Sequence, residues 1–189
     1  MSTTVPAAAV PNVTGTANLS LRNLYYARFG FAVVWAALLA LTASTLNPAS
    51  VALLVIYPLF DVAAAVIDVR TSKGMRATGP LYINMALSVL TGIGLAIAVS
   101  VDIPAVLRIW GGWAVTAGLV QLVVAVLRRR LGGQWAMILS GAISVLAGGG
   151  FIAQAGGSEP SLAILAGYAT LGGIFFLVSA ITLHRRGVR

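Results

Sequence analysis

The 189-residue chain has no cysteine, one histidine and four acidic residues. Without cysteine there are no disulfides, thiolate metal ligands or thiol nucleophiles. The one histidine, His184, sits among arginines near the C-terminus. A histidine-based metal cluster or a Ser-His-Asp triad within the apolar part of the chain is therefore excluded. Charge is scarce too: 8% of residues are charged, against roughly 25% in a soluble domain. The glycine-rich stretches "TGIGLAIA" and "GGG" at 148–150 follow no strand-like segment and carry no Lys-Ser/Thr, so they fit neither a dinucleotide-binding turn nor a P-loop. They read as packing. No cofactor, metal or enzymatic activity is expected.

What the chain has in abundance is apolar surface, with 59% hydrophobic residues. Apolar stretches at about 24–46, 49–68, 80–100, 104–127, 134–155 and 160–183 each match the ~20 residues that a helix needs to cross ~30 Å of hydrocarbon. The expected fold class is an all-α membrane protein with six transmembrane helices, its principal partner the lipid bilayer. The first twenty residues, "MSTTVPAAAVPNVTGTANLS", lack a basic segment followed by an apolar one and so do not read as a signal peptide. Residues 1–20 are expected to be a disordered cytoplasmic tail and residues 21–186 the six-helix domain.

The formal net charge of +8 would point to nucleic acid in a soluble protein, but no basic stripe is interleaved with exposed aromatics here, and no nucleic-acid partner is expected. The distribution of the charge is more informative. Eleven of the twelve basic residues lie before helix 1 or early in it, between helices 2 and 3, after helix 4, or at the C-terminus. The other three connections hold Asp102 and Glu159 and no Lys or Arg. The positive-inside rule then places both termini on the cytoplasmic side. Arg108 is the exception, and it is expected to snorkel to the outer headgroups or meet Asp102.

Pro48, Pro104 and Pro160 recur at intervals of 56 residues, each at the start of an even-numbered helix. Tyr57, Trp113 and Tyr168 follow them by nine, nine and eight residues, and Asp61, Ala117 and Gly172 come four residues later. This pattern predicts three tandem parallel helical hairpins, at about 24–68, 80–127 and 134–183, in a pseudo-threefold arrangement about the membrane normal. The odd helices carry small residues every four positions: Ala32, Ala36 and Ala40; Ser88, Gly92 and Ala96; Ser140, Ser144 and Gly148. Such stripes let helix backbones approach closely in lipid and read as packing; a homo-oligomer is left open. Trp35, Trp110, Trp113 and Trp135 read as interface anchors or core.

The segment "VIYPLFDVAAAVIDVR", residues 55–70, is the place where chemistry could reside. Asp61 lies about 18 Å along helix 2 from its outer end at 1.5 Å per residue. Inserting it costs ~2.5–3.5 kcal/mol, while ten Val, Leu, Ile and Phe residues return roughly 3–6. The helix inserts, but Asp61 must face protein or water. Asp68, seven residues on, falls within ~20° of it around the helix, so Tyr57, Asp61, Ala64, Ala65 and Asp68 form one face. Pro58 leaves the carbonyl of Leu54 without its helical donor and kinks the helix, a gap for Tyr57 or water to fill. Asp61 has two readings. In one it anchors the bundle through a hydrogen bond to Tyr57, Gln121 or a carbonyl. In the other it is a protonation site on a pathway with Tyr57 and Gln121, as intramembrane acids are by default. Asp68 is expected to pair with Arg28 or Arg70 as a structural anchor. Asn84 and Gln121 are expected to join interhelical hydrogen bonds.

"YPLFD" followed by "DVR", with "GGWAVTAGLVQL" running through "RRR" into "QWAMILSGAISVLAGG", resembles the small six-span family of the acid-resistance membrane protein HdeD. The resemblance spans residues 20 to 186. It implies a multi-pass cytoplasmic-membrane protein with a part in acid or envelope stress and no agreed biochemical activity, and it transfers no site residue. From a different class, the residues also admit a small proton or solute channel or transporter with Asp61 on its path.

Overall fold

The computed structural model describes the backbone of residues 13–71 and 78–187. Six helices run in order: α1 (Val13–Thr42), α2 (Pro48–Thr71), α3 (Thr78–Ala98), α4 (Ile103–Leu127), α5 (Gln134–Gln154) and α6 (Ala163–Gly187), with a short 3-10 turn at Arg129–Leu131. Among the described residues there is no strand. Each helix contains a span of 21 to 25 residues long and apolar enough to cross a membrane, or about 31–38 Å at 1.5 Å per residue. Between 33% and 39% of each span's most apolar window is buried within the protein. The remaining surface, which includes Leu41, Ile97 and Leu146, is apolar and outward, as lipid requires.

Helix α1 begins at Val13, so residues 13–20, expected as part of a disordered tail, are helical. Extending an existing helix costs far less than nucleating one, and Leu21, Leu24 and Tyr25 are already buried. Residues 1–12 of the expected tail lie outside the described residues, as do Lys73, Arg76 and Arg189.

The ends of the even helices explain much of the proline recurrence. Asn47 Oδ1 accepts from the N–H groups of Ala49 and Ser50 at 3.0 and 3.1 Å, ahead of α2. Asp102 Oδ1 accepts from Ala105 N at 2.7 Å at the start of α4. Ser161 Oγ accepts from Ala163 N at 3.2 Å ahead of α6. Pro48 opens α2 and Pro104 lies in the first turn of α4, where a missing N–H is harmless, whereas Pro160 lies in the turn preceding α6.

Each helix packs on its neighbours in sequence, and α6 closes on α1, so the six form a ring. The α4/α5 approach is backbone to backbone. A Cβ added at Gly141 would sit 2.8 Å from the Gly118 carbonyl oxygen, and one at Gly111 would sit 2.7 Å from that of Gly148. The expected small-residue stripes need correction at their ends, because Ala40 and Ala96 are exposed and the fully buried Leu39 and Leu95 take their place. At 100° per residue, a strict spacing of four drifts about 80° over two steps, whereas spacings alternating three and four stay on one face. Gly141, Ser144 and Gly148 obey the second rule and make the contact with α4.

The interior is divided along the bundle. Toward the proline-bearing ends of the helices it is dry: Leu39, Leu54, Leu95, Leu107, Leu162 and Leu165 are fully buried around Trp35, Trp110 and Trp113. Toward the arginine-bearing ends a smaller apolar cluster of Leu21, Tyr25, Ala125, Met137, Ala180 and Leu183 flanks two charged pairs and the cavities described next.

Candidate functional site

Helix α2 directs Pro58, Asp61, Ala64, Ala65 and Asp68 inward. Asp61 is 9% exposed, thirteen residues past Pro48 and ten before Thr71, so it is about 15–20 Å along the helix from either end. Arg28 Nη1 of α1 meets its Oδ1 at 2.9 Å. Its Oδ2 accepts from Ser88 Oγ of α3 at 2.8 Å and from Asn84 Nδ2 in a short hydrogen bond. Ser88 Oγ in turn accepts from Trp113 Nε1 of α4 at 3.0 Å. The Arg28 guanidinium carbon also lies 5.1 Å from the Phe176 ring centroid of α6, within cation–π range. Through one carboxylate and its partners, five helices are tied together.

Asp68 carries the second pair. Arg128 Nη1 and Nη2 donate to its two oxygens at 2.8 and 2.9 Å, a bidentate geometry that matches guanidinium to carboxylate. Arg128 is 3% exposed. The expected partners of Asp68, Arg28 and Arg70, are therefore replaced: Arg28 goes to Asp61, and Arg70 is exposed at the end of α2. The reason is depth. The α1 span starts at Leu19, which places Arg28 nine residues in, about 14 Å at 1.5 Å per residue, rather than at the surface.

Two other partnerships also differ from expectation. Gln121 Nε2 makes the interhelical bond expected of it, donating to the Met137 carbonyl at 3.1 Å and joining α4 to α5, but its partner is not Asp61. Beside Pro58, the Trp35 indole donates to the Leu53 carbonyl at 2.7 Å, one residue before the carbonyl expected to need help. Tyr57 contributes its ring. Its centroid is 4.6 Å from Trp35, 5.5 Å from Trp110 and 5.8 Å from Trp113. Of the four tryptophans, Trp35, Trp110 and Trp113 are core and Trp135 is 81% exposed.

Two cavities, of about 80 and 60 Å³, adjoin at Arg28, Asp61, Ala117, Gln121 and Phe176. The larger extends past Asn84 to Asp68, Arg128 and Gln134; the smaller extends to Tyr57, Ser144 and Tyr168. A water needs about 10–15 Å³ of such space and two to four polar partners, so each can hold a few waters. Tyr168 donates to Ser144 Oγ at 3.0 Å on this wall. Tyr57, Trp113 and Tyr168, together with Asp61, Ala117 and Gly172, all line the smaller cavity, so the residues singled out by the repeat meet around one space.

Arg28, Asn84 and Ser140 were not recognised as a set in the sequence, although they too are 56 residues apart and all border these cavities. The periodicity that marks the even helices marks them as well. Among the described residues no three His, Cys, Asp or Glu side chains converge, so the site offers ion pairs, hydroxyls and amides rather than a metal-ligand set. No protein-family model, curated protein or solved structure matches the chain. The resemblance to the HdeD family thus rests on the quoted sequence segments alone.

Proposed function

We propose that the chain is a non-enzymatic multi-pass protein of the cytoplasmic membrane, HdeD-like in type, that contributes to acid or envelope stress tolerance through its helix bundle rather than through catalysis. In this reading both termini are cytoplasmic, and three parallel hairpins are related about an axis along the membrane normal. The observation that carries it is the engagement of the two buried acids of α2. Both oxygens of Asp61 and both of Asp68 are held by groups from other parts of the bundle. Buried charges paired in this way act as ties, because removing one partner strands the other.

The threefold reading is supported by the convergence of residues 55 or 56 apart on two adjoining cavities, with charge at these positions on the first hairpin only. Where the first hairpin has Arg28 and Asp61, the second has Asn84 and Ala117, and the third Ser140 and Gly172. Orientation is tested by cysteines introduced near Asn47, Asp102 and Glu159. They should react with an impermeant maleimide in intact cells, and labelling at position 73 instead would overturn the six-span orientation.

A second reading, a small proton or solute channel or transporter, is favoured by the two cavities that meet at Asp61 and Arg28. Purified protein in liposomes containing a pH-sensitive dye separates the two. The bundle role predicts no flux above that of empty liposomes at any pH, whereas a permeation role predicts proton flux that Asp61→Asn abolishes. For the stress role, cells lacking the protein should survive acid challenge less well than their parent; equal survival would remove it.

A further inference from the structure

Helices α5 and α6 splay apart on the outside of the bundle. The groove between them, with a volume of about 520 Å³, is walled by Trp135, Ile138, Leu139, Ile174, Phe175 and Val178. Its lining is almost wholly apolar, and Trp135, Leu139, Ile174 and Val178 are 81%, 53%, 46% and 46% exposed. Register places the mouth of the groove at the arginine-bearing end. Ser179 Oγ donates to the Gly133 carbonyl at 2.6 Å, which sets the start of α5 level with Ser179. The groove-facing side of α6 continues beyond that level: Arg185 lies seven residues after Val178, within ~20° around the helix, and is exposed. On the other side Trp135 follows the turn that carries the exposed Arg129 and Arg130.

These arginines have no acidic side chain to meet. The chain has four acids. Asp61 and Asp68 are paired with Arg28 and Arg128, and Asp102 and Glu159 lie at the opposite end of the bundle. The described acids are engaged elsewhere or lie at the far end, so the exposed Arg129, Arg130 and Arg185 leave this end strongly positive. An apolar slot between membrane-spanning helices, an indole at its mouth and two guanidinium groups beyond it match the order of parts in a phospholipid: acyl chain, glycerol level, phosphate. Guanidinium groups bind phosphate with matched geometry.

We propose that the α5/α6 groove is a binding site for an anionic phospholipid, with an acyl chain lying against Trp135, Leu139, Phe175 and Val178 and the phosphate held between Arg130 and Arg185. The site does not depend on the function proposed above. Its specificity resides in the headgroup, since any acyl chain can occupy the slot while only a net negative headgroup gains from both arginines.

The distribution of tryptophan makes the site directly readable. Trp35, Trp110 and Trp113 are 2%, 0% and 6% exposed, which leaves Trp135 as the indole that a lipid-borne quencher can reach. The protein is reconstituted in bilayers containing increasing fractions of phosphatidylglycerol or phosphatidylcholine with identical brominated acyl chains. Phosphatidylglycerol should quench at a mole fraction roughly 25-fold lower, the scale expected when two cations contribute about a fivefold preference each. Trp135→Phe should remove the quenchable emission. In Arg130→Gln/Arg185→Gln the two curves should coincide, while Arg70→Gln, which removes another exposed arginine at the same end, should leave the preference intact. Raising salt on the wild-type protein, which screens the same attraction, should shrink the preference without any substitution. Equal quenching by the two lipids, a preference that survives the double substitution, or an equal loss in Arg70→Gln would overturn the site. Absence of quenching by either lipid would do the same, because the face would then be covered by another chain.

Discussion

The two halves of the bundle solve the same problem in opposite ways. Toward the prolines, the ring is filled by leucines and by the cluster of Trp35, Tyr57, Trp110 and Trp113. Packing holds the helices there, helped by Trp35's donation to the Leu53 carbonyl. Toward the arginines, side chains do not fill the interior. Cavities of about 80 and 60 Å³ remain, and the helices are tied across them by Arg28–Asp61 and Arg128–Asp68. Dispersion needs atoms on both sides of an interface, so a bundle that keeps polar space must be held by directed bonds. The difference shows why Asp61 and Asp68 lie where they do: they stand at the boundary of the packed half and beyond it.

The largest expected effect tests the drier of the two ties. Arg128→Met should destabilise the purified protein in detergent by ~3–5 kcal/mol, because Asp68 is left charged and buried. Adding Asp68→Leu should recover most of the loss. Thermal or denaturant unfolding checks both, and equal stability of wild type and single variant would remove the tie.

Truncation should then separate the halves. Leu54→Ala, in the filled half, leaves a void and should cost ~2–5 kcal/mol. Val120→Ala, in the wall of the larger cavity, should cost under about 1 kcal/mol, because the site already borders open polar space. Similar losses at both positions would show the cavities to be packed.

Asp61 should fall below Asp68 in cost, because its partner Arg28 is 18% exposed at the side chain where Arg128 is 2% and water in the cavity can serve it. Asp61→Leu should lose ~1–3 kcal/mol and Asp61→Asn less, since the amide still bonds with Ser88 and Asn84. An Asn variant as damaged as the Leu variant would mean that the charge itself holds the site.

The smallest effect should be Gly149→Ala, which meets nothing within 4 Å, at no more than about 0.5 kcal/mol. Gly148→Ala should be far worse, with its Cβ 2.5 Å from the Gly111 carbonyl. Equal tolerance at the two neighbours would argue that α4 and α5 are not in backbone contact.

Composition and spacing alone determined the six spans, their approximate ends and the inward face of α2, because hydrocarbon thickness and the 3.6-residue turn act on local sequence. They also singled out Tyr57, Trp113 and Tyr168, which line one cavity. Partner choice was decided by the tertiary structure. Arg28 and Arg70 were equally plausible mates for Asp68 in one dimension, yet the depth of α1 delivered Arg28 to Asp61 and the end of α4 delivered Arg128 to Asp68. Likewise, Ala40 and Ala96 belonged to regular stripes in the sequence, and helix rotation turned them outward. An ion pair depends on where two helices stop relative to one another, to within about a residue's rise of 1.5 Å. That offset is set by capping, glycine contacts and ring closure acting together, and no single segment contains it.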